Sequence, residues 1–492
     1  MKLLSRFGQS SAIYVTASFV QKGTAFLLLP LYTRFISPRE YGIYAIVQSI
    51  IQLLIIIFTC NLDSAIVRFY YEYRHDGKTL QEFWGSIVVT MLLISLVAGG
   101  LAILFGAPLF RPLTNDIPFW PYVALGIVAA MFQPFISTML SVLQVQEKAA
   151  SYAVFSASFF LVTTFSTVLL VVVWKLGVEG LLIAIAASTA LFGCYALFSL
   201  RDHYRLVLRR THVVGALAYS LPQVPHTVAG VAIAAADRFA INAFLSTAAA
   251  GIYNVGFILG MSVDTILTNV NKAFVPITMA ERKHGMAENF DNLRRLGMML
   301  AVCMCMLGAG VASLSREIVT LLAAPAFRSA STVVPIIAFA GVACGFYSLF
   351  INNVLYFDRR LTRFVPVGSI SGAVVTVTLN FMLIPRFGIL GAAIATLFAY
   401  FAMALSTLPL TLRYDPVRWR FMTYIILYAV AFASSYLLSR LDSGHILLNI
   451  LLKLCGLMVL LLALSAIAWG NPFRVFRGIR ESVNSLRPSL KG

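Results

Sequence analysis

The sequence predicts an all-α integral membrane protein of about 14 transmembrane helices, arranged as two parallel six-helix repeats followed by two extra C-terminal helices. Three observations predict this class. First, 60% of the 492 residues are hydrophobic and only 11% are charged, whereas soluble domains have about 25% charged residues. Second, the apolar runs have the length of about 20 residues that a membrane-spanning helix needs. Third, two segments recur along the chain at nearly one spacing.

The apolar runs number fourteen, and polar or charged residues separate each run from the next. These runs are longer than the apolar segments of core helices in soluble proteins, and those core helices also carry a polar face. The runs cover approximately 11–35, 42–62, 84–107, 119–142, 152–174, 177–199, 213–241, 246–271, 293–315, 331–357, 363–385, 388–411, 421–439 and 446–469. No cleavable signal peptide is evident, because the first run is long and follows only a short basic stub.

The internal repeat is carried by two pairs of segments. Residues 35–44 (FISPREYGIY) match 244–253 (FLSTAAAGIY) at five of ten positions, with an offset of 209. Residues 175–184 (KLGVEGLLIA) match 386–395 (RFGILGAAIA) with an offset of 211. Each repeat holds six predicted spans, and an even number makes both repeats enter the membrane in the same direction. The pseudo-twofold axis then runs along the membrane normal, which is the parallel type of transporter repeat.

The repeat divides the chain into two lobes, a linker and additions at the C-terminal end. The predicted parts are an N-terminal lobe at 1–200, a cytoplasmic linker at 201–212, a C-terminal lobe at 213–412, two additional spans at 413–470 and a basic cytoplasmic tail at 471–492.

The charge distribution predicts the orientation. With the N-terminus inside, 26 of the 37 Lys and Arg residues fall on the inner side, 9 on the outer side and 2 within spans. Basic residues favour the cytoplasmic side of a membrane, so we expect both termini in the cytoplasm. The formal net charge of +18 follows from this topology and suits anionic membrane lipids. No basic stretch lies on a soluble domain that could dock nucleic acid.

The sequence contains no pattern for a cofactor, a metal or a nucleotide motor. The six cysteines lie in or beside apolar runs, the six histidines are scattered, and no phosphate-binding glycine loop is present. The predicted outer loops are short, the longest being about 108–118 and 316–330. They leave little room for an extramembrane catalytic domain, so we expect a transporter and not a membrane-embedded polymerase or ligase.

Several short motifs resemble one transporter family. They begin with Lys22-Gly23, the segment 29–34 (LPLYTR) and the segment 37–44 (SPREYGIY), and continue with 68–70 (RFY) and 388–396 (GILGAAIAT). In this order they resemble the polysaccharide transport proteins, which include O-antigen and oligosaccharide-lipid flippases of the multidrug/oligosaccharidyl-lipid/polysaccharide exporter superfamily.

The resemblance implies a two-lobed, V-shaped exporter that moves a polyprenyl-diphosphate-linked oligosaccharide, such as an O-antigen or exopolysaccharide unit, across the inner membrane. The expected partners are this glycolipid, membrane lipids, a coupling proton or sodium ion and other polysaccharide-assembly proteins of the membrane. Two alternatives in the same superfamily stay open, a multidrug or organic-ion antiporter and a lipid II flippase. An antiporter of organic cations would favour intramembrane carboxylates, but the first span carries Lys22 instead.

Three cations are candidate contacts for a diphosphate. Lys22 lies eleven residues into the first span, roughly 16 Å deep at 1.5 Å per residue, where a charge is costly unless it has a function or a partner. The repeat equates Lys22 with Val231, and Arg238 lies seven residues further on nearly the same helix face. Asp237, the sequence neighbour of Arg238, is expected on a different face. Arg34, at the outer end of the first span, is the third candidate.

Asp264 is the candidate coupling site, because it is the only acidic residue between Asp237 and Glu281. A buried carboxylate can bind a proton or a sodium ion, although a salt bridge with Lys272 or Lys22 is the structural alternative. Pro222 and Pro225 remove backbone donors within the seventh span and predict a hinge there.

Asn380 and Lys453 are two further polar residues inside predicted spans. Asn380 could touch sugar hydroxyls or bond between helices, and the sequence leaves both roles open. Lys453, in the last span, is expected to snorkel towards the outer membrane surface.

Overall fold

The computed structural model describes residues 28–469, except 202, 203, 206, 285, 286 and 358, and every regular element in this part of the chain is helical. Thirteen of these helices are long and apolar enough to cross a membrane. They correspond in order to the predicted runs from 42–62 to 446–469. Most of the first predicted span, 11–35, lies outside the described residues, and only its end, Leu29–Phe35, is described as a helix. The all-α, multi-pass membrane class is therefore confirmed.

Contacts between residues divide the chain into two compact units, with the division between Ile252 and Tyr253. The first unit contains nine helices in the described range and the beginning of a tenth. They are α1 (Leu29–Phe35), α2 (Pro38–Thr59), α3 (Leu62–Tyr73), α4 (Gly77–Thr114), α5 (Phe119–Val145), α6 (Ala149–Val173), α7 (Gly177–Ser199), α8 (Arg210–Ser220), α9 (Val224–Phe244) and the first turn of α10 (Thr247–His284).

The second unit contains the rest of α10 and eight further described helices. They are α11 (Ala287–Ser313), α12 (Ser315–Leu322), α13 (Val334–Phe357), α14 (Arg359–Thr362), α15 (Val365–Phe387), α16 (Ile389–Tyr414), α17 (Phe421–Ser439) and α18 (Ile446–Trp469). A short 3-10 helix, Pro325–Thr332, follows α12. The chain turns at Gly388, where φ is +61°, so that α15 and α16 form a hairpin packed along its length.

The start of α2 shows how the local sequence sets a helix end. The Ser37 side chain accepts a hydrogen bond from the Glu40 amide, and the Glu40 carboxylate accepts one from the Ser37 amide at 2.9 Å. Pro38 occupies the first turn, where a missing N–H group costs nothing. This reciprocal capping satisfies donors that a helix start would otherwise leave open.

The predicted linker does not separate the first six spans from the seventh in space. The Arg205 amide donates to the Gln81 carbonyl at 3.0 Å, and the Ser86 hydroxyl donates to the Val207 carbonyl at 2.8 Å. A Cβ on Gly85 would lie 1.7 Å from the Arg205 carbonyl oxygen. The linker is therefore bound along the first turns of α4.

The observed division between the units lies about 40 residues beyond the predicted linker at 201–212. The reason is that α8 packs on α3 and α4, while α9 packs on α2 and α4. Spatial contacts thus group the seventh span with the first unit. The division into two six-helix lobes rests on the sequence repeat, and it stays a prediction.

Candidate functional site

Arg238 lies on α9 in the first unit, where it is part of a buried ion pair. Its Nη1 is 2.8 Å from Asp237 Oδ1, and both side chains are almost fully buried. The same Nη1 also donates to the Ala234 carbonyl one turn earlier. The expectation that Asp237 and Arg238 diverge is wrong as regards their charged ends, because the long arginine side chain folds back to its neighbour. The Asp237 carboxylate therefore neutralises the positive charge of Arg238.

Lys22 and Arg34 are the other two cations predicted for diphosphate binding. Lys22 lies outside the described residues. Arg34 is exposed at the end of α1 and lines a cavity of about 400 Å³ together with Glu40 and Lys175. Glu40 reaches this cavity from the capped start of α2, and it can neutralise one of the two basic side chains.

The prolines of the seventh span coincide with a change in helix type. Pro222 lies in a 3-10 turn, Leu221–Gln223, between α8 and α9, and Pro225 lies in the first turn of α9. A proline in a helix interior removes a backbone hydrogen bond, which explains why the α-helix is interrupted here. Movement about this point stays a prediction.

Asp264 lies on α10 in the second unit, half-buried among polar groups from two other helices. Its carboxylate is within hydrogen-bonding reach of the Cys344 thiol, and that thiol also approaches Ser348 and the Tyr400 hydroxyl. A Cβ on Gly341 would lie 3.5 Å from the Asp264 Cβ, so α13 approaches α10 closely at this point. We call Asp264, Cys344, Ser348 and Tyr400 the Asp264 cluster.

Lys272, one of the salt-bridge partners considered for Asp264, is exposed, and its Nζ lies 3.4 Å from Asn269 Oδ1. The structure therefore points Lys272 to a neighbouring amide of its own helix. A cation bound by Asp264 would therefore lie beside the other side chains of the Asp264 cluster.

Asn380 lies on α15, and its side chain is only 1% exposed. Neither its Nδ2 nor its Oδ1 has a hydrogen-bond partner, and the Thr376 hydroxyl one turn earlier also has none. Residues four apart lie on the same helix face. Leaving a buried polar group unpaired costs roughly 1–3 kcal/mol. Three unpaired atoms on one face thus mark a place where a bound water, ion or substrate hydroxyl would be stabilised.

Two buried ion pairs in the second unit were missed by sequence reasoning. Arg282 on α10 holds Asp415 with Nη2–Oδ2 at 2.9 Å, and the Trp419 indole N–H donates to the same carboxylate at 2.8 Å. Lys453 on α18 is completely buried with Nζ 2.6 Å from Glu317 Oε1. The prediction that Lys453 snorkels is wrong. The signal that could have found its partner is Glu317 itself, because an intramembrane charge requires a counter-charge.

Among the described residues, no group of three or more His, Cys, Asp and Glu side chains is placed to hold a metal ion.

The fold is shared with transporters of known structure. It resembles a lipid II flippase, MurJ, in an inward closed conformation, with a TM-score of 0.67, 14% identity and coverage of 93% of this chain and 98% of that one. It also resembles an inward-facing multidrug resistance MATE transporter of the MOP superfamily, with a TM-score of 0.60, 13% identity and coverage of 81% and 95%. These likenesses define the class, a multi-pass membrane protein with a MurJ- and MATE-like transporter fold.

The chain belongs to the polysaccharide biosynthesis protein family, whose family model matches residues 7–281. Two proteins of Haemophilus influenzae are similar to it. A protein of the Lsg locus is 27% identical over 274 residues, and an uncharacterized membrane protein is 24% identical over 283 residues. The matches cover 54% and 56% of this chain and 65% and 66% of those relatives. The chain thus spans just under two thirds of the length of the curated relatives it matches.

Proposed function

We propose that this protein is a flippase that carries a polyprenyl-diphosphate-linked oligosaccharide across the bacterial inner membrane by alternating access. The observation that carries the proposal is the combination of family and fold: a polysaccharide biosynthesis protein whose chain follows, over 93% of its length, the fold of a lipid II flippase.

The polar groups inside the spans support this function. A glycolipid has a charged diphosphate and sugar hydroxyls that must cross the hydrocarbon layer, so its carrier needs polar groups at membrane depth. Charged side chains there are costly and are kept for function or as ion pairs. The first unit offers Asp237 and Arg238 on α9, and the second unit offers Asp264 on α10 and Asn380 on α15.

Lys22, Arg34 and Arg238 are the proposed cationic contacts of the diphosphate. An oxyanion could exchange with Asp237 for the guanidinium of Arg238, because arginine binds carboxylates and phosphates in the same bidentate geometry. Lys22→Ala and Arg238→Ala should each reduce export while the protein stays in the membrane. Lys22→Arg should retain more activity. Full complementation of a flippase-null strain by both alanine variants would remove these residues from the substrate path.

The likeness to a MATE transporter keeps a multidrug or organic-ion antiporter as the second candidate. Cation export would require carboxylates available to the drug, whereas the Asp237 carboxylate is paired with Arg238. A lipid II flippase differs from the leading proposal only in its cargo.

The test is translocation by the purified protein in proteoliposomes. Fluorescent polyprenyl-diphosphate-linked oligosaccharide, lipid II and a fluorescent organic cation are compared, each with and without a pH or sodium gradient. The proposal requires translocation of the oligosaccharide lipid above protein-free vesicles. Export of the organic cation with no glycolipid movement would favour the antiporter instead.

The proposed location is the inner membrane with both termini in the cytoplasm, and the supporting observation is the 26 to 9 inner excess of basic residues. A reporter that is active only in the periplasm, fused after Gly492, should remain inactive. A reporter fused within the loop at 441–445, between α17 and α18, should be active in the periplasm.

A further inference from the structure

A polar cavity of about 510 Å³ lies within the first unit, at the end of the helices that is predicted to face outwards. Three separate segments line it: the first turn of α2, the end of α4 with the turn after it, and the connection between α9 and α10. The lining side chains that matter are Arg39, Arg111, Asp116 and Asn242. None of these residues belongs to the polar groups discussed above.

The floor of this cavity is fixed by Asn242, which is only 5% exposed. Asn242 Nδ2 donates to the Thr114 carbonyl at 3.2 Å, and Asn242 Oδ1 accepts from the Thr247 hydroxyl at 2.8 Å. Asn115 Nδ2 in turn donates to the Asn242 carbonyl at 3.1 Å. These bonds join the end of α4 to the start of α10. The cavity is thus a preformed feature of the fold.

The cavity carries unneutralised positive charge. Within the described part of the chain, neither Arg39 nor Arg111 forms an ion pair. Asp116 can offset only one of the two guanidinium groups, which leaves a formal charge of +1 in the cavity. Guanidinium groups bind phosphate and carboxylate through two parallel hydrogen bonds, so two of them in one cavity favour an oxyanion.

The predicted topology makes these arginines unusual. Only 9 of the 37 basic residues fall on the outer side, where basic residues are disfavoured. Arg39 and Arg111 line this cavity, and Arg34 and Lys175 line the 400 Å³ cavity to which Glu40 in the first turn of α2 also contributes. Four of the nine outer basic residues therefore surround one helix start, which is a concentration that topology alone does not explain.

We propose that the cavity between Arg39 and Arg111 is an oxyanion site at the outer face, which binds the phosphate groups of a lipid-linked diphosphate as it leaves the membrane path. The identity of the lipid rests on the proposed flippase function, whereas the oxyanion chemistry does not. Outer-leaflet phospholipid phosphate is the other source of the same chemistry.

The first experiment measures the thermal-unfolding midpoint of the full chain in neutral detergent against inorganic pyrophosphate, with ionic strength held constant by sodium chloride. A ligand that binds only the folded state raises the midpoint in a saturable manner. Arg39→Gln and Arg111→Gln should each weaken the apparent affinity about tenfold, and the double variant should abolish the response. Arg39→Lys keeps the charge without the bidentate geometry, and it should lie between the wild type and Arg39→Gln.

The matched control is Arg328→Gln. Arg328 is another exposed arginine on the predicted outer side and does not line the cavity, so this variant should respond like the wild type. An unchanged pyrophosphate affinity in the Arg39→Gln/Arg111→Gln double variant would overturn the proposal. So would a midpoint rise that chloride alone reproduces.

The second experiment identifies the source of the oxyanion by competition against pyrophosphate. Neutral phosphatidylcholine vesicles are supplemented with either undecaprenyl diphosphate or phosphatidylglycerol at equal mole fraction. Stronger competition by undecaprenyl diphosphate supports a cargo exit site, and equal competition overturns the cargo assignment in favour of lipid headgroups. A failure of glycolipid translocation by the wild type would remove the proposed function but would leave the pyrophosphate binding intact, so the two failures are distinguishable.

Discussion

Gly42 and Gly251 lie backbone against backbone, and they occupy equivalent positions in the two copies of the sequence repeat. A Cβ on Gly251 would lie 2.7 Å from the Gly42 amide nitrogen, and a Cβ on Gly42 would lie 1.8 Å from the Thr247 carbonyl oxygen. Both glycines belong to the first unit, so α2 and α10 cross there at backbone contact.

The crossing of α2 and α10 should tolerate no side chain at either glycine. Gly42→Ala and Gly251→Ala should each lower the thermal-unfolding midpoint of the purified protein by several degrees, because overpacking a tight contact costs about 1–3 kcal/mol. Gly100→Ala on α4 is the control, since a Cβ there meets nothing within 4 Å. Equal midpoints for all three variants would contradict a close crossing.

The Arg282–Asp415 pair should be essential to the stability of the second unit. Arg282→Ala leaves the Asp415 carboxylate buried and uncompensated, and such a loss costs about 3–5 kcal/mol. The comparison is Arg294→Ala, which removes the pair with Asp291 whose side chains are 38% and 64% exposed. Exposed pairs contribute about 0–1 kcal/mol, so the midpoint of Arg294→Ala should stay near that of the wild type. A similar small effect for both variants would show that Arg282 is not buried as described.

The sequence predicted the spans well and their polar partnerships poorly. Apolar length is a local property of the chain, which is why the thirteen described spans coincide with predicted runs. Ion pairing depends on which helices become neighbours. Arg282 and Asp415 are 133 residues apart, and Lys453 and Glu317 are 136 apart, so no local pattern links them. The prediction that Asp237 and Arg238 diverge was wrong for another reason. Helix-face geometry describes the directions of the Cβ atoms and not the reach of a long side chain.

Lys453 and Glu317 should behave as one unit. Lys453→Met alone buries an unpaired Glu317 and should lower the thermal midpoint strongly. The double variant Lys453→Met/Glu317→Leu removes both charges and should recover most of the loss, because apolar replacement of a buried pair is often neutral or stabilising. If the single variant is as stable as the double variant, Lys453 reaches water and the buried pairing is wrong.

Asn380 should show opposite effects on stability and on transport. Asn380→Leu replaces two unpaired buried polar atoms by an apolar side chain of similar size, so the thermal midpoint should hold or rise. Glycolipid translocation in proteoliposomes should fall if the amide holds a substrate hydroxyl or a bound ion. The control is Asn353→Leu, which breaks the 2.8 Å bond from Asn353 Nδ2 to Asn271 Oδ1 and should lower the midpoint. Unchanged transport by Asn380→Leu would make the amide a packing residue.

The Asp264 cluster permits a sharper test of ion coupling than the sequence did. A carboxylate whose access to the two sides of the membrane alternates can bind and release a cation, whereas a carboxylate in a permanent salt bridge cannot. Asp264→Asn resembles the neutral form, so it should still bind the glycolipid but lose the stimulation of translocation by a pH or sodium gradient. Cys344→Ala removes the thiol that contacts Asp264 but keeps the carboxylate, so it should retain the gradient response.

The decisive measurement is the ratio of glycolipid translocation with and without the gradient, in proteoliposomes that contain equal amounts of each variant. A ratio near one for Asp264→Asn and near the wild-type value for Cys344→Ala supports coupling. The exchange of Asp264 with Lys272 tests the structural alternative, because a swapped salt bridge would restore transport. The structure argues against that outcome, since Lys272 is exposed and directed to Asn269. Restored transport in the swap, or a wild-type ratio in Asp264→Asn, would remove Asp264 from the coupling mechanism.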